Sequence, residues 1–125
     1  MTIAGSDSSG SAGLQADMRA FAMLGVHGCA ALTAVTVQNT LGVKAVHEIP
    51  IDVIAGQISA VASDIGIEAA KTGLLPSSEI VHTIVATWSS EGLANTVPLV
   101  VDPVCASNVG QPFLPPVRST PSATN

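Results

Sequence analysis

A chain of 125 residues with 47% hydrophobic side chains can bury one core, and a multidomain arrangement is excluded. Only 10% of the residues are charged and 2% aromatic, so the core falls to Val, Ile, Leu and Ala, and a disordered chain is excluded as well. Four basic residues against nine acidic ones leave a net charge of −5, which offers no basic face to a phosphate backbone and argues against nucleic acid as a partner.

In chain order, residues 2–4 form a short apolar strand that runs into a loop of small residues, 5–13. Leu14, Met18, Phe21 and Ala22 then recur at the spacing of one helical face, and Gly25 stands where a left-handed residue ends a helix. Residues 29–37 are an apolar run rich in Ala, Thr and Val, read as a buried strand, followed by a polar turn at Gln38, Asn39 and Thr40. After Pro50 a second helix is marked by Ile51, Ile54, Ile58, Val61 and Ile65, with Asp52 in its first turn, where the helix dipole favours negative charge.

Residues 67–71 read as a short strand and 72–76 as a turn. Ser77 or Ser78 caps a third helix, with Glu79 in its first turn and Ile80, Val81, Ile84, Val85 and Trp88 along its buried stripe. Residues 97–101 form a continuous apolar run, read as another buried strand, ending at Asp102 and Pro103. From about Ala106 the character changes: four of the eight prolines fall between Pro112 and Pro121, amid Ser, Thr and Asn. The expected division is therefore 1–105 as the folded unit and 106–125 as a disordered tail.

Strands alternating with helices, and apolar on both faces, predict an α/β fold with a parallel sheet flanked by helices. Such sheets bind ligands outside the carboxyl ends of their strands, which directs attention to four turns: 5–13, 38–40, 72–75 and 102–104. Cys29 and Cys105 lie in apolar neighbourhoods far apart and read as buried thiols rather than a disulfide. With no basic flank or long apolar stretch of a signal peptide at the start, a cytoplasmic location is expected. Residues 20–43 carry no Asp, Glu, Lys or Arg, yet their glycines and polar residues break them into a helix end, a strand and a turn, so no membrane association is expected. The scarcity of charge still implies apolar surface meant to be covered, by further chain or by a partner subunit such as a second copy in a homo-oligomer.

Gly5 and Gly10 have the spacing of a phosphate-binding loop, but Ser11 and Ala12 stand where that motif needs Lys and Ser or Thr. What remains is a glycine-rich turn before a helix, whose free N–H groups would suit a polar or anionic ligand, or a tight turn with no ligand at all. Asp17 reads either as a ligand contact or as compensation of the helix dipole. Gln38 is more telling, since a carboxamide at the end of a buried strand can read a heterocycle edge with one donor and one acceptor.

Together, residues 3–17 (IAGSDSSGSAGLQAD), 34–40 (AVTVQNT), 71–75 (KTGLL) and 101–104 (VDPV) resemble the hydroxymethylpyrimidine/phosphomethylpyrimidine kinases of thiamine biosynthesis. The resemblance implies a ribokinase-like fold and phosphoryl transfer from ATP with Mg2+ to the hydroxymethyl group of a small pyrimidine, then to its monophosphate. It makes Gly5, Asp17 and Gln38 pyrimidine-contacting positions, with Leu74 and Val104 packed against the ring and Thr36 as a further wall. A related vitamin kinase, such as one for pyridoxal, fits residues 5–17 and 38–40 less closely. The resemblance ends at Val104, before the family's anion hole, catalytic cysteine or aspartate region and most of its nucleotide site, so no catalytic or metal-binding residue is assigned. The chain thus reads as an N-terminal portion of such a kinase, with a non-catalytic pyrimidine-binding or interaction module as the alternative.

Overall fold

The structure is a computed structural model that describes residues 1–107 and 109–113. Five strands and three helices follow one another as β1 (Thr2–Asp7), α1 (Gly13–Met23), β2 (Ala30–Asn39), β3 (Gly42–Glu48), α2 (Ile51–Ser63), β4 (Ala70–Thr72), α3 (Ser78–Ser90) and β5 (Leu99–Val101). The sheet order is β3-β2-β1-β4-β5. β1 lies parallel to both β2 and β4, and β4 parallel to β5, whereas β3 runs antiparallel to β2. The α/β class and the parallel centre of the sheet are as expected. The hairpin to β3 is additional, for its Lys44, His47 and Glu48 interrupt any apolar run that would mark a strand.

The chain reverses direction from β2 to β3 through a turn in which the Leu41 N–H donates to the Asn39 side chain at 2.9 Å. The order of connections matters for the site. Stepping from β1 to β2 moves one way across the sheet and from β2 to β4 the other, so right-handed crossovers put α1 on one face and α2 with α3 on the opposite one. The carboxyl ends of β1, β2, β4 and β5 consequently meet around the point where the order reverses.

One core cluster lies on the α2/α3 face: Ile3, Ala31 and Ala70 from the strands meet Ile54 and Ile58 of α2 and Ile80, Ile84 and Trp88 of α3. Ser77 caps α3 as expected, its hydroxyl accepting from the Ile80 N–H. The apolar stripes are narrower than their periodicity suggests: Ile51, Ile65, Val81 and Val85 are exposed. α1 has no fully buried residue; Leu14, Met18 and Phe21 are half-buried and Ala22 is exposed. Gly25, at φ +72°, does end the helix in the left-handed region.

The expectation of a buried strand at 97–101 is corrected. β5 is the last strand of the sheet order, and Val100 and Val101 are 66% and 65% exposed because no described element lies beyond it. Likewise Cys105 is exposed rather than buried, and Cys29 is half-buried; both are free thiols. Part of the stretch read as a tail is folded back on the molecule: Ala106 bridges to Pro112, and the Val43 N–H donates to the Gln111 side chain at 3.1 Å. Residues 114–125 lie outside the described residues. Among the described residues no helix is long and apolar enough to cross a membrane.

Candidate functional site

A break in strand register shapes the site. Ala4 pairs with Leu32 but Ser6 with Val35, so two residues of β2 face the single residue Gly5. Such a bulge moves the side chains beyond it to the other face. Before it Ala31 and Thr33 are buried; after it the buried set is Ala34 and Thr36, while Val35 and Val37 turn outward. That shift brings Thr36 and Gln38 to the mouth of an open cleft of about 290 Å3, a size near the lower end of small-molecule sites.

Gly5, Asp17, Gln38, Leu74 and Val104, the five positions singled out from the sequence, all line this cleft, as does Thr36. They arrive from five separate segments, the carboxyl ends of β1, β2, β4 and β5 and the first turns of α1. Gly5 is closely approached by its neighbour: a Cβ there would sit 3.2 Å from Leu74 Cδ2, a tight contact. Leu74 is itself 8% exposed and anchored through its carbonyl, which accepts from the buried Thr33 hydroxyl at 2.6 Å.

Gln38 is held by its backbone. Its N–H donates to Ser8 Oγ at 2.8 Å, and that hydroxyl donates back to the Gln38 carbonyl at 2.5 Å. The Thr36 hydroxyl donates to the Ser6 carbonyl at 2.8 Å and, more weakly, to Gln38 Oε1 at 3.2 Å. The carboxamide therefore keeps its amino group and part of its acceptor capacity for a ligand, while the loop and the strand fix where it stands.

The glycine-rich turn spends several of its N–H groups within the chain, Gly10 on the Asp7 carbonyl and others on the Asp7 side chain. Asp7, at the end of β1 and 3% exposed, accepts from the Ser9 and Ala12 N–H groups at 2.9 Å each, and from the hydroxyls of Ser9 and Ser11. Burial alone would raise its pKa, but these hydrogen bonds, led by those from Ser9, outweigh it and hold the carboxyl below its usual range. The expectation that the turn would suit an anionic ligand is corrected on this point. The protein's own carboxylate already fills the start of α1, whose first turn holds no acidic residue of its own. Gly13, at φ +60°, closes the turn, and a Cβ there would lie 2.5 Å from the Gly5 carbonyl.

Asp17 is not a dipole partner either, since it stands past the first turn of α1. Both of its oxygens accept from Lys71 Nζ at 3.1 Å, and Oδ2 also accepts from the Thr2 hydroxyl at 2.6 Å. Lys71 was not singled out as a site residue, although it stands next to Thr72 and Gly73 in a segment read as important. Its partner is 54 positions away in sequence, and only the docking of α1 beside β1 and β4 joins them. Phe113, half-buried, forms part of the cleft wall, a role that nothing in a proline-rich stretch announces.

The cleft thus presents apolar walls, one carboxamide, the hydroxyls of Ser6, Thr36 and Ser107, the internally bonded Asp7, the Asp17–Lys71 pair and the exposed Asp102, a set suited to a flat ring with polar edges. Among the described residues no three His, Cys, Asp or Glu side chains stand close enough to share a metal ion.

The chain matches the model of a family described as phosphomethylpyrimidine kinase over residues 7–120. It is 66% identical over 116 residues to the hydroxymethylpyrimidine/phosphomethylpyrimidine kinase of Mycobacterium tuberculosis and 40% identical to that of Escherichia coli, in each case over 93% of this chain and 42% of the relative. Among solved structures it is similar to a phosphomethylpyrimidine kinase from Clostridium difficile 630, with a TM-score of 0.81 and 45% identity over 92% of this chain and 48% of that one. It is also similar to a Staphylococcus aureus pyridoxal kinase in complex with ADP, with a TM-score of 0.72 and 38% identity over 86% of this chain and 38% of that one. The chain spans about two fifths of the length of the curated relatives it matches. The family match also runs past Val104, where the resemblance read from the sequence ends.

Proposed function

The chain belongs to the phosphomethylpyrimidine kinase family, and on that premise we propose that its cleft binds hydroxymethylpyrimidine and its monophosphate as substrates of ATP-dependent phosphorylation in thiamine biosynthesis. The reading carries with it a small-molecule substrate and a cytoplasmic setting. The observation that supports it most is the convergence of Gly5, Asp17, Gln38, Leu74 and Val104 on one cleft from distant segments. In this reading Gln38 addresses the aminopyrimidine edge, Asp17 accepts a hydrogen bond from it, and Leu74 and Val104 pack on the ring faces.

ATP would be the phosphoryl donor, in keeping with the ADP held by the similar pyridoxal kinase. The described residues do not fit its phosphates or Mg2+: Asp7 fills the one glycine-rich turn, and no cluster suits a metal ion. Phosphoryl transfer needs cations and donors placed around the moving group. We therefore derive no transfer step and assign to these residues the binding and orientation of the pyrimidine. The same observation favours a second reading, a pyrimidine-binding module without catalysis of its own.

Titration of the purified chain with hydroxymethylpyrimidine, followed by heteronuclear NMR, tests the proposal. Saturable shifts around Gln38 that weaken roughly tenfold or more in Gln38→Ala, about the 1.4 kcal/mol of one good hydrogen bond, are the expected result. No shifts on a well-dispersed spectrum would overturn it. ADP release with Mg-ATP would mark a kinase, and saturable binding without release the binding module.

A further inference from the structure

Lys71 is the only Lys, Arg or His lining the cleft among the described residues, and it is spent on Asp17. A carboxylate offers about four lone-pair sites, two on each oxygen. On Oδ2 both are taken, one by Thr2 and one by Lys71; on Oδ1 Lys71 takes one and leaves one. The pair is largely sheltered, with side-chain exposures of 26% for Lys71 and 17% for Asp17. Gly73 keeps this place open, since a Cβ there would come within 2.9 Å of Ala4 Cβ and 3.7 Å of Lys71 Nζ.

From this geometry we propose that Lys71 is a positioning residue that sets the charge selectivity of the cleft. It cancels the charge of Asp17 while leaving that carboxylate a single acceptor, so that the Asp17 corner of the site takes a neutral N–H or O–H donor and rejects a cation. The inference rests on the functional reading above, in which that donor belongs to an aminopyrimidine. Without the ammonium, a sheltered carboxylate would draw cations by direct attraction in a region of low effective dielectric. With it, an arriving cation meets a fixed positive charge beside the one lone pair that Asp17 keeps free.

The test uses two probes on the full chain, at a pH above the protonation of the pyrimidine: neutral hydroxymethylpyrimidine and its ring-N-methylated, permanently cationic analogue. The added methyl costs the same in every variant, so the ratio of the two affinities isolates charge. Wild type is expected to prefer the neutral probe, Lys71→Arg to keep that preference, and Lys71→Met to shift the ratio toward the cation by roughly tenfold or more. Lys71→Gln, which can still donate to Asp17 without charge, gives the same comparison should the methionine variant fail to fold. A general loosening of the site would weaken both probes alike and leave the ratio where it was. An unchanged ratio in the neutral variants, with the neutral probe still bound by wild type, overturns the role of Lys71 alone. A folded wild-type chain that binds neither probe overturns the functional reading and this role with it.

Discussion

The two faces of the sheet are held in different ways. On one, α2 and α3 lean on each other and on the strands, and Ile54, Ile58, Ile80, Ile84 and Trp88 are all within 5% of complete burial. On the other, α1 stands alone against β1, buries no residue fully, and ends in Met23 and Leu24, which are 87% and 78% exposed. What fixes α1 is polar: Asp7 gathers its N-terminal turn, Gln15 joins the Asp7 N–H to the Ser6 hydroxyl, and Asp17 ties it to Thr2 and Lys71. Hydrophobic burial is non-directional and stabilises wherever area is removed from water, whereas hydrogen bonds fix atoms in place. The face that carries the core supplies stability, and the face that carries the site supplies placement.

That contrast can be broken from either side. Trp88→Ala empties the centre of the α2/α3 face and is expected to lower stability by about 3–5 kcal/mol in urea unfolding. Its chemical-shift changes should spread through both helices before they reach the cleft. A loss under about 1 kcal/mol would mean the face is not closed as described.

On the polar side, Asp7→Asn is expected to cost about 2–3 kcal/mol, since several donors lose a charged acceptor. The sign of the pH dependence follows from the carboxyl being held below its usual range. Its contribution is complete above the ordinary aspartate value, where the unfolded chain is ionised. It declines as pH falls from there and is gone below the folded-state value. Urea midpoints of wild type and variant should therefore converge on acidification, and a gap that stays constant down the acid limb would contradict the assignment.

Gly13→Ala forces a side chain into the left-handed region and against the Gly5 carbonyl, at about 1–3 kcal/mol. Its sharper signature is local: Gln38 and Ser8 resonances should shift, while those of α3 stay put. The smallest effect is expected on the open side of α1, where Met23→Gln together with Leu24→Gln should change stability by no more than about 0.5 kcal/mol. The same pair should reduce self-association in sedimentation, because exposed apolar patches favour it.

Much of this arrangement was legible in the residues themselves. Local rules were enough for α3, where Ser77 caps and Ile80, Ile84 and Trp88 fall on one face, and for α2 behind Pro50 and Asp52. β3 was not legible, because an edge strand with polar residues loses the pattern that marks a strand. The buried character ascribed to 97–101 failed for a related reason: apolar composition states what a strand prefers, while its place in the sheet decides what covers it. Of the cleft, the motif strings pointed to Gly5, Asp17, Gln38, Leu74 and Val104, but Lys71 has its role from a partner 54 positions away and Phe113 lies outside any motif, while Asp7 went unread although the groups it gathers stand within five residues of it.

The sequence by itself determined the α/β class, the three helices and the turns that carry polar residues, since periodicity, caps and glycine positions act over a few residues. Tertiary structure alone decided that a bulge opposite Gly5 aims Thr36 and Gln38 into the cleft, and that Asp17 is neutralised by Lys71. Each of these depends on which segments the crossovers bring together, and charge and register are properties of such pairs rather than of any one stretch of chain.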